Sequence, residues 1–295
     1  MRIQSILASV VLGTTATLSL VQAADQWPFM TKRSGKPETP RWNDLGCQPT
    51  AEHPNPLVLI HGLYSQGERH WKVFAPKFAA KGYCVFTPTY GSMHGQSLVN
   101  GLDAIEDSAQ QIATYIDTVL TATGASKVDI LAHSEGSTVG QYYLLKLNGG
   151  AKVDRWSAIG GNFYGTTYLG LSSFLQKLGV YDAVEWAISP LCKACFQLVE
   201  GSDFFKDLYA QTGGRDTVPD VSYFNLASRY DEYVVESGFM RDKNNSKVRN
   251  VYLQDLCPTD HAKHFDLLTD PVVFNAVNAH LDDQAEQDVG CGDFH

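Results

Sequence analysis

The sequence predicts an α/β domain in which a mainly parallel sheet is flanked by helices, with a helical insertion late in the chain. Short apolar runs of strand length recur without polar alternation, which suits strands buried on both faces. Helical periodicity fills the stretches between them, and strand alternating with helix is the signature of a parallel sheet. A serine-centred turn, Ala132-His133-Ser134-Glu135-Gly136, joins one such run directly to one such helix. With 295 residues, 44% of them apolar, the chain suits one large domain, and neither a repeat nor an interdomain linker interrupts it.

Residues 1–23 read as a secretory signal, with Arg2 followed by an apolar stretch that ends at Val21-Gln22-Ala23. Its removal leaves residues 24–295 as the single domain of a secreted, extracellular protein. No other stretch has the roughly 20 apolar residues of a spanning helix. Residues 24–50, with Pro28, Pro37, Pro40 and Pro49, read as a surface extension that Cys47 pins.

Strands are expected at residues 56–60, 83–86, 128–132, 156–160, 221–227 and 248–253. The helix within 101–122 places Ile105, Ile112, Ile116, Val119 and Leu120 on one stripe and closes near Gly124. A second helix follows Ser134 and stops at Asn148-Gly149-Gly150. The last has Asp270 as its cap and Pro271 at its first position, with Phe274, Val277 and Leu281 facing inward. Residues 163–212 exceed the usual crossover. Tyr168, Leu171, Phe174, Leu175 and Leu178 fall at helical spacing, and Trp186, Ile188, Phe196, Phe204, Phe205 and Leu208 follow. Part of this segment is expected to cover the sheet and the rest to form a cap over Ser134.

The net charge is -9, from 23 basic and 32 acidic residues, which disfavours phosphate backbones and anionic headgroups, so no nucleic acid is expected as a partner. Six cysteines in an exported chain argue for up to three disulfides. The expected pairs are Cys47 with Cys84, Cys195 with Cys257, and Cys192 with Cys291. A redox or zinc reading of Cys192-x-x-Cys195 lacks a second CxxC. Asn244-Asn245-Ser246 is a glycosylation acceptor in a host that glycosylates.

The 132–136 turn carries the chemistry. A serine on a tight strand-to-helix turn has its hydroxyl lifted above the sheet, and small residues two before and two after, here Ala132 and Gly136, make room for the strained backbone. The pattern usually has Gly where Ala132 stands. The bland reading, Ser134 as a helix cap, is the weaker one in this context. A serine nucleophile also needs donors for the oxyanion formed on the attacked carbonyl. Those expected are the N–H of Glu135 and that of Leu63, in the loop His61-Gly62-Leu63-Tyr64, with Tyr64 second. His61 is expected to brace that loop through a hydrogen bond.

The base must be a histidine that follows both serine and acid in chain order. Two qualify, His261 and His264, in the loop after the last strand. The acid belongs after the penultimate strand, where Asp231 comes first and Glu232 is the runner-up. A metal reading of Cys257, Asp260, His261 and His264 conflicts with the disulfide expected at Cys257.

The segments Leu59-Ile60-His61-Gly62, Gly82-Tyr83-Cys84-Val85-Phe86, His133-Ser134-Glu135-Gly136, Ser228-Arg229-Tyr230-Asp231-Glu232, and 254–264 on to Asp270-Pro271 together resemble the secreted class 2 lipases of the α/β-hydrolase superfamily. The resemblance runs from about Cys47 to Leu281. It implies Ser134 as nucleophile, Asp231 as acid and His264, rather than His261, as base, with no organic cofactor. It implies hydrolysis of acylglycerols or other apolar esters through an acyl-enzyme, with transient contact to a lipid surface. The chain is expected to act as a monomer. The same triad would serve a polyester depolymerase or an acyltransferase. A non-catalytic binding scaffold should have lost a triad position, and none is lost.

Overall fold

The computed structural model describes residues 41–92, 99–168, 171–234, 238–242, 244–285 and 289–294, so the signal reading of residues 1–23 and the first part of the extension lie outside it. Leu57–Ile60 (β1), Val85–Phe86 (β2), Val128–His133 (β3), Val153–Ile159 (β4), Ser222–Ala227 (β5) and Val248–Tyr252 (β6) form one sheet, ordered β2-β1-β3-β4-β5-β6. Every neighbouring pair is parallel. These are the six runs that the sequence marks as strands. The chain passes outward from β1 to β2 and then returns past β1 to β3. Strand order therefore reverses beside β1, and Ser134 and the loop after β1 lie at the carboxyl ends of β3 and β1, the position where parallel sheets bind ligands.

Alternation along β1 explains the layers. Val58 and Ile60 join one buried cluster and Leu57 and Leu59 the other, so the sheet is covered on both faces. Gly67–His70 (α1) and Phe74–Ala80 (α2) lie between β1 and β2, Ile105–Thr123 (α3) precedes β3, and Glu135–Lys146 (α4) follows it. The α3 stripe buries Ile105, Ile112, Ile116 and Val119 with Val58 and Ile60, and the helix ends at Gly124, whose φ of 71° suits glycine.

The insertion holds Leu171–Lys177 (α5), Tyr181–Ile188 (α6), Lys193–Gln197 (α7) and Asp203–Ala210 (α8). α8 is an ordinary covering helix that buries Phe204, Phe205 and Leu208. α6 buries none of its residues, and Trp186 is 82% exposed. Leu253–Leu256 (α9) follows β6, and Pro271–Leu281 (α10) closes the chain, its Asp270 carboxylate accepting from the Val273 N–H at 3.0 Å as a cap should. Phe74, Phe78 and Phe274 knit α10 to α2 beneath the Leu57 and Leu59 face.

Cys47 pairs with Cys84 as expected, but Cys192 pairs with Cys195 and Cys257 with Cys291. The expected Cys195–Cys257 and Cys192–Cys291 bridges are therefore wrong. Cys192 caps α7 and Cys195 stands within its first turn, which brings their Cα atoms to 5.4 Å. The tail meanwhile packs back on α10 through Phe274 with Phe294 and the Asn275 amide on the Asp293 carbonyl, bringing Cys291 to Cys257. Cys47 does not pin the extension alone. The Asn43 N–H donates to the Val85 carbonyl at 2.8 Å, and the Asn43 side-chain oxygen accepts from the Thr87 N–H at 2.7 Å. Among the described residues, no helix is long and apolar enough to cross a membrane.

Candidate active site

Ser134 stands between β3 and α4 at φ 53° and ψ -125°, a conformation that costs a non-glycine residue about 1–3 kcal/mol and persists only where its surroundings enforce it. They do so here by close packing. A Cβ on Gly136 would lie 2.5 Å from the carbonyl oxygens of Ile60 and His61, so only glycine lets α4 start against the end of β1. A Cβ on Gly62 would lie 3.1 Å from the Ser134 Cβ, which places the loop after β1 directly against the serine. Ala132 is fully buried in the sheet, paired in register with Ile60 and Ala158.

The loops after β5 and β6 bring the other two groups to Ser134. His264 Nε2 lies 2.9 Å from Ser134 Oγ, and His264 Nδ1 lies 2.6 Å from Asp231 Oδ2. A carboxylate only accepts, so Nδ1 carries the proton and Nε2 faces the serine hydroxyl with its lone pair. The other Asp231 oxygen accepts from the N–H groups of Tyr233 at 2.8 Å and Val234 at 3.0 Å. Burial pushes the Asp231 carboxyl up, but the bond and charge of His264 with those two N–H groups outweigh it and hold the acid below its usual value. The two loops are also tied together, since Ser228 Oγ donates to the Ala262 carbonyl at 2.6 Å and accepts from Gln254 Nε2 at 3.1 Å.

His261 is separated from this cluster. It is exposed, with Nδ1 2.8 Å from the Thr259 carbonyl and its ring against Tyr230. Glu232 pairs with Lys263 at 3.4 Å and takes no part. Cys257 is disulfide-bonded and His264 faces Ser134, which dismantles the metal reading of that loop. His61 braces its loop as expected: Nδ1 donates to the Gly62 carbonyl at 2.8 Å, Nε2 accepts from the Tyr90 N–H at 3.3 Å, and the two rings stack. Burial lowers it to about 4, so it is neutral.

Leu63 follows Gly62 on the loop that touches Ser134, and Glu135 opens α4 immediately after it. The Glu135 side chain is 1% exposed, and neither of its oxygens has a hydrogen-bond partner among the described residues. It lies under the Leu63 loop, where a Cβ on Gly101 would meet Glu135 Oε2 at 2.5 Å and the Leu63 Cα at 3.3 Å. Burial raises this carboxyl well above 4.5, so it is held as a neutral acid.

Sequence reasoning missed Gly101 and Gly160. A Cβ on Gly160, whose φ is 52°, would lie 3.2 Å from both Asp231 Oδ2 and His264 Nδ1, so this glycine leaves room for the acid and base to meet. The pair Gly160-Gly161 at the end of a predicted strand was the available signal. Sequence reasoning also missed that His70 and His133 join the site.

The family model for lipase (class 2) matches residues 54–276. A triacylglycerol lipase of Pseudarthrobacter phenanthrenivorans is 26% identical over 92 residues, which is 30% of this chain and 27% of that protein. The match thus spans about a quarter of the relative's length. Among solved structures, Aspergillus fumigatus lipase B superposes with a TM-score of 0.61 at 17% identity, covering 89% of this chain and 63% of that one. Bacillus licheniformis lipase BlEst2 in its propeptide form gives 0.57 at 18% identity, covering 84% and 54%. At such identities the likeness is one of fold.

Proposed function

The chain belongs to the class 2 lipases, and on that premise we propose that it hydrolyses carboxylic esters through Ser134, His264 and Asp231. The observation that carries the reading is the pair of contacts, 2.9 Å from Ser134 Oγ to His264 Nε2 and 2.6 Å from His264 Nδ1 to Asp231 Oδ2, on a serine held at positive φ. His264 takes the hydroxyl proton as Oγ attacks the ester carbonyl, and Asp231 stabilises the imidazolium that results. The N–H groups of Leu63 and Glu135 receive the developing oxyanion. Collapse expels the alcohol, protonated by His264, and leaves an acyl-serine. Water, deprotonated by the same imidazole, then releases the acid.

The substrate is an apolar ester, acylglycerols included, and the insertion between β4 and β5 serves as a cap that meets lipid surfaces. Leu178, Trp186, Ile188 and Leu191 are each exposed in a stretch of chain where α6 buries nothing, apolar surface that water alone does not favour. The protein acts outside the cell, in keeping with its three disulfides.

A chain-length series of nitrophenyl and glyceryl esters, assayed below and above their solubility, tests this. Wild type should cleave them and gain rate when the substrate forms a surface. Ser134→Ala should lose about a thousandfold or more, because triad members act as a unit. Trp186→Ala with Leu178→Ala should keep the rate on dissolved ester and lose the gain at the surface. Equal hydrolysis by wild type and Ser134→Ala would remove the reading, and an undiminished surface gain in the double variant would remove the cap.

A further inference from the structure

His70 and His133 are buried beside the triad and have no step in the chemistry above. They lie in a continuous chain of hydrogen bonds. Ser65 Oγ is 2.9 Å from His70 Nδ1, His70 Nε2 is 3.0 Å from His133 Nδ1, and His133 Nε2 is 3.1 Å from the backbone carbonyl of His264.

The proton positions follow from the far end. A carbonyl only accepts, so His133 Nε2 carries a hydrogen. In a neutral ring the Nδ1 lone pair then faces His70 and accepts from its Nε2–H. His70 Nδ1 is left to accept from the Ser65 hydroxyl. The chain thus has one direction, and a second proton on His133 would set its Nδ1–H against the His70 Nε2–H. Burial is the main reason that both rings stay neutral: with the charge of His264 it lowers His133 to about 3, against the hydrogen bond to the His264 carbonyl and the charge of Asp231, and it holds His70 well below 6.5, with His133, His61 and His264 adding to the effect. Gly62 keeps the path open, since a Cβ there would come within 3.2 Å of His133 Nδ1.

The two ends of the chain lie on the two loops on which the proposed reaction depends. Ser65 lies two residues beyond Leu63, and its carbonyl accepts from the Asn100 N–H at 3.1 Å. His264 sits in an irregular loop between α9 and α10, where regular backbone bonding does not hold it. That loop is gripped at Ala262 from the acid's side, by Ser228, and at His264 itself from the nucleophile's side, by His133. We propose that His70 and His133 are positioning residues that tie the backbone of the base loop at His264 to the oxyanion loop at Ser65, so that base and anion donors keep a common register on Ser134. This rests on the reading of His264 as the base.

The test compares His70→Phe, which keeps a ring but removes the donor, with His70→Gln, whose Nε2–H sits where the imidazole donor sat. Ser134→Ala and His264→Ala run alongside, on a dissolved nitrophenyl ester. His70→Phe should lower kcat about tenfold or more, since small displacements of a catalytic group are costly, with KM within about twofold. His70→Gln should recover to within about threefold of wild type, as a restored donor should. Nitrogen-15 NMR of wild-type His133 should show the Nε2–H tautomer, a readout that needs no variant. Wild-type kcat in His70→Phe, equal losses in the Phe and Gln variants, or the Nδ1–H tautomer at His133 would each overturn the proposal while His264→Ala stays inactive. An active His264→Ala would instead remove the base assignment, and the tether with it.

Discussion

Burial raises the Glu135 carboxyl well above its ordinary value. That carboxyl is enclosed by the Gly101 turn and the Leu63 loop, and ionisable groups near enough to couple to it, Tyr64, Tyr90 and Tyr168, are phenols that offer it no cation. The folded chain therefore holds a proton that the unfolded chain gives up once the pH passes 4.5. Stability contributed at this site falls as pH rises from 4.5 toward the raised folded value, because the native state binds more protons. Glu135→Gln should be more stable than wild type at pH 8 by a margin that shrinks toward pH 4, read from denaturant unfolding across that range. A margin independent of pH would mean that folding does not raise the Glu135 carboxyl. Asp231→Asn should cut the rate far more than Glu232→Gln, since only Asp231 reaches His264 and Glu232 reaches Lys263, and equal losses in kcat would contradict that division. Ser134 and Asp231 were legible from chain position alone, because strand ends place them. His261 and His264 were not separable that way: three residues apart in an irregular loop, they obey no periodicity that says which turns inward, and the resemblance to class 2 lipases was needed to choose. The environment of Glu135 was illegible, because the Gly101 turn that encloses it lies far away in sequence.

The element that sets the site is the junction of β3 with α4. Its serine is strained, and the strain is sustained by contacts that leave no room for change. Gly136→Ala would press a methyl group into the Ile60 and His61 carbonyls, so it should cost about 3 kcal/mol by overpacking and shift Ser134 as well. Unfolding and ester turnover measured on one preparation should both suffer, and unchanged stability would show that the junction has slack. The inner strands are legible as largely apolar runs bounded by turns, β6 less sharply because Arg249 and Asn250 interrupt its run at the sheet edge, and α10 because Asp270 and Pro271 mark its start. The insertion was legible only in part. Its apolar residues were read as one excess, but α8 buries its share in the core while α6 leaves its share in water, and composition does not distinguish a stripe that finds a partner from one that does not.

Across the whole molecule, two disulfides staple distant segments and one is local. Cys47–Cys84 and Cys257–Cys291 span 37 and 34 residues, whereas Cys192–Cys195 spans 3. By loop entropy, losing either long bridge should cost about 4 kcal/mol and losing the short one about 2 kcal/mol. Paired Cys-to-Ser variants compared in urea would check the order, and a larger loss at Cys192 and Cys195 would place the insertion, rather than the termini, at the centre of stability. The connectivity itself could not be read from the sequence, because a short pairing at a helix start and a tail folded back on α10 are equally silent in cysteine spacing. The covered sheet, the braced loops and the staples all bear on one hydroxyl, and reaction with a fluorophosphonate ester followed by peptide mass spectrometry tests it most directly. One adduct per chain, on Ser134, forming about a hundredfold more slowly in His264→Ala for want of a base, is the expected result. No adduct, or an adduct on another residue, would contradict the account.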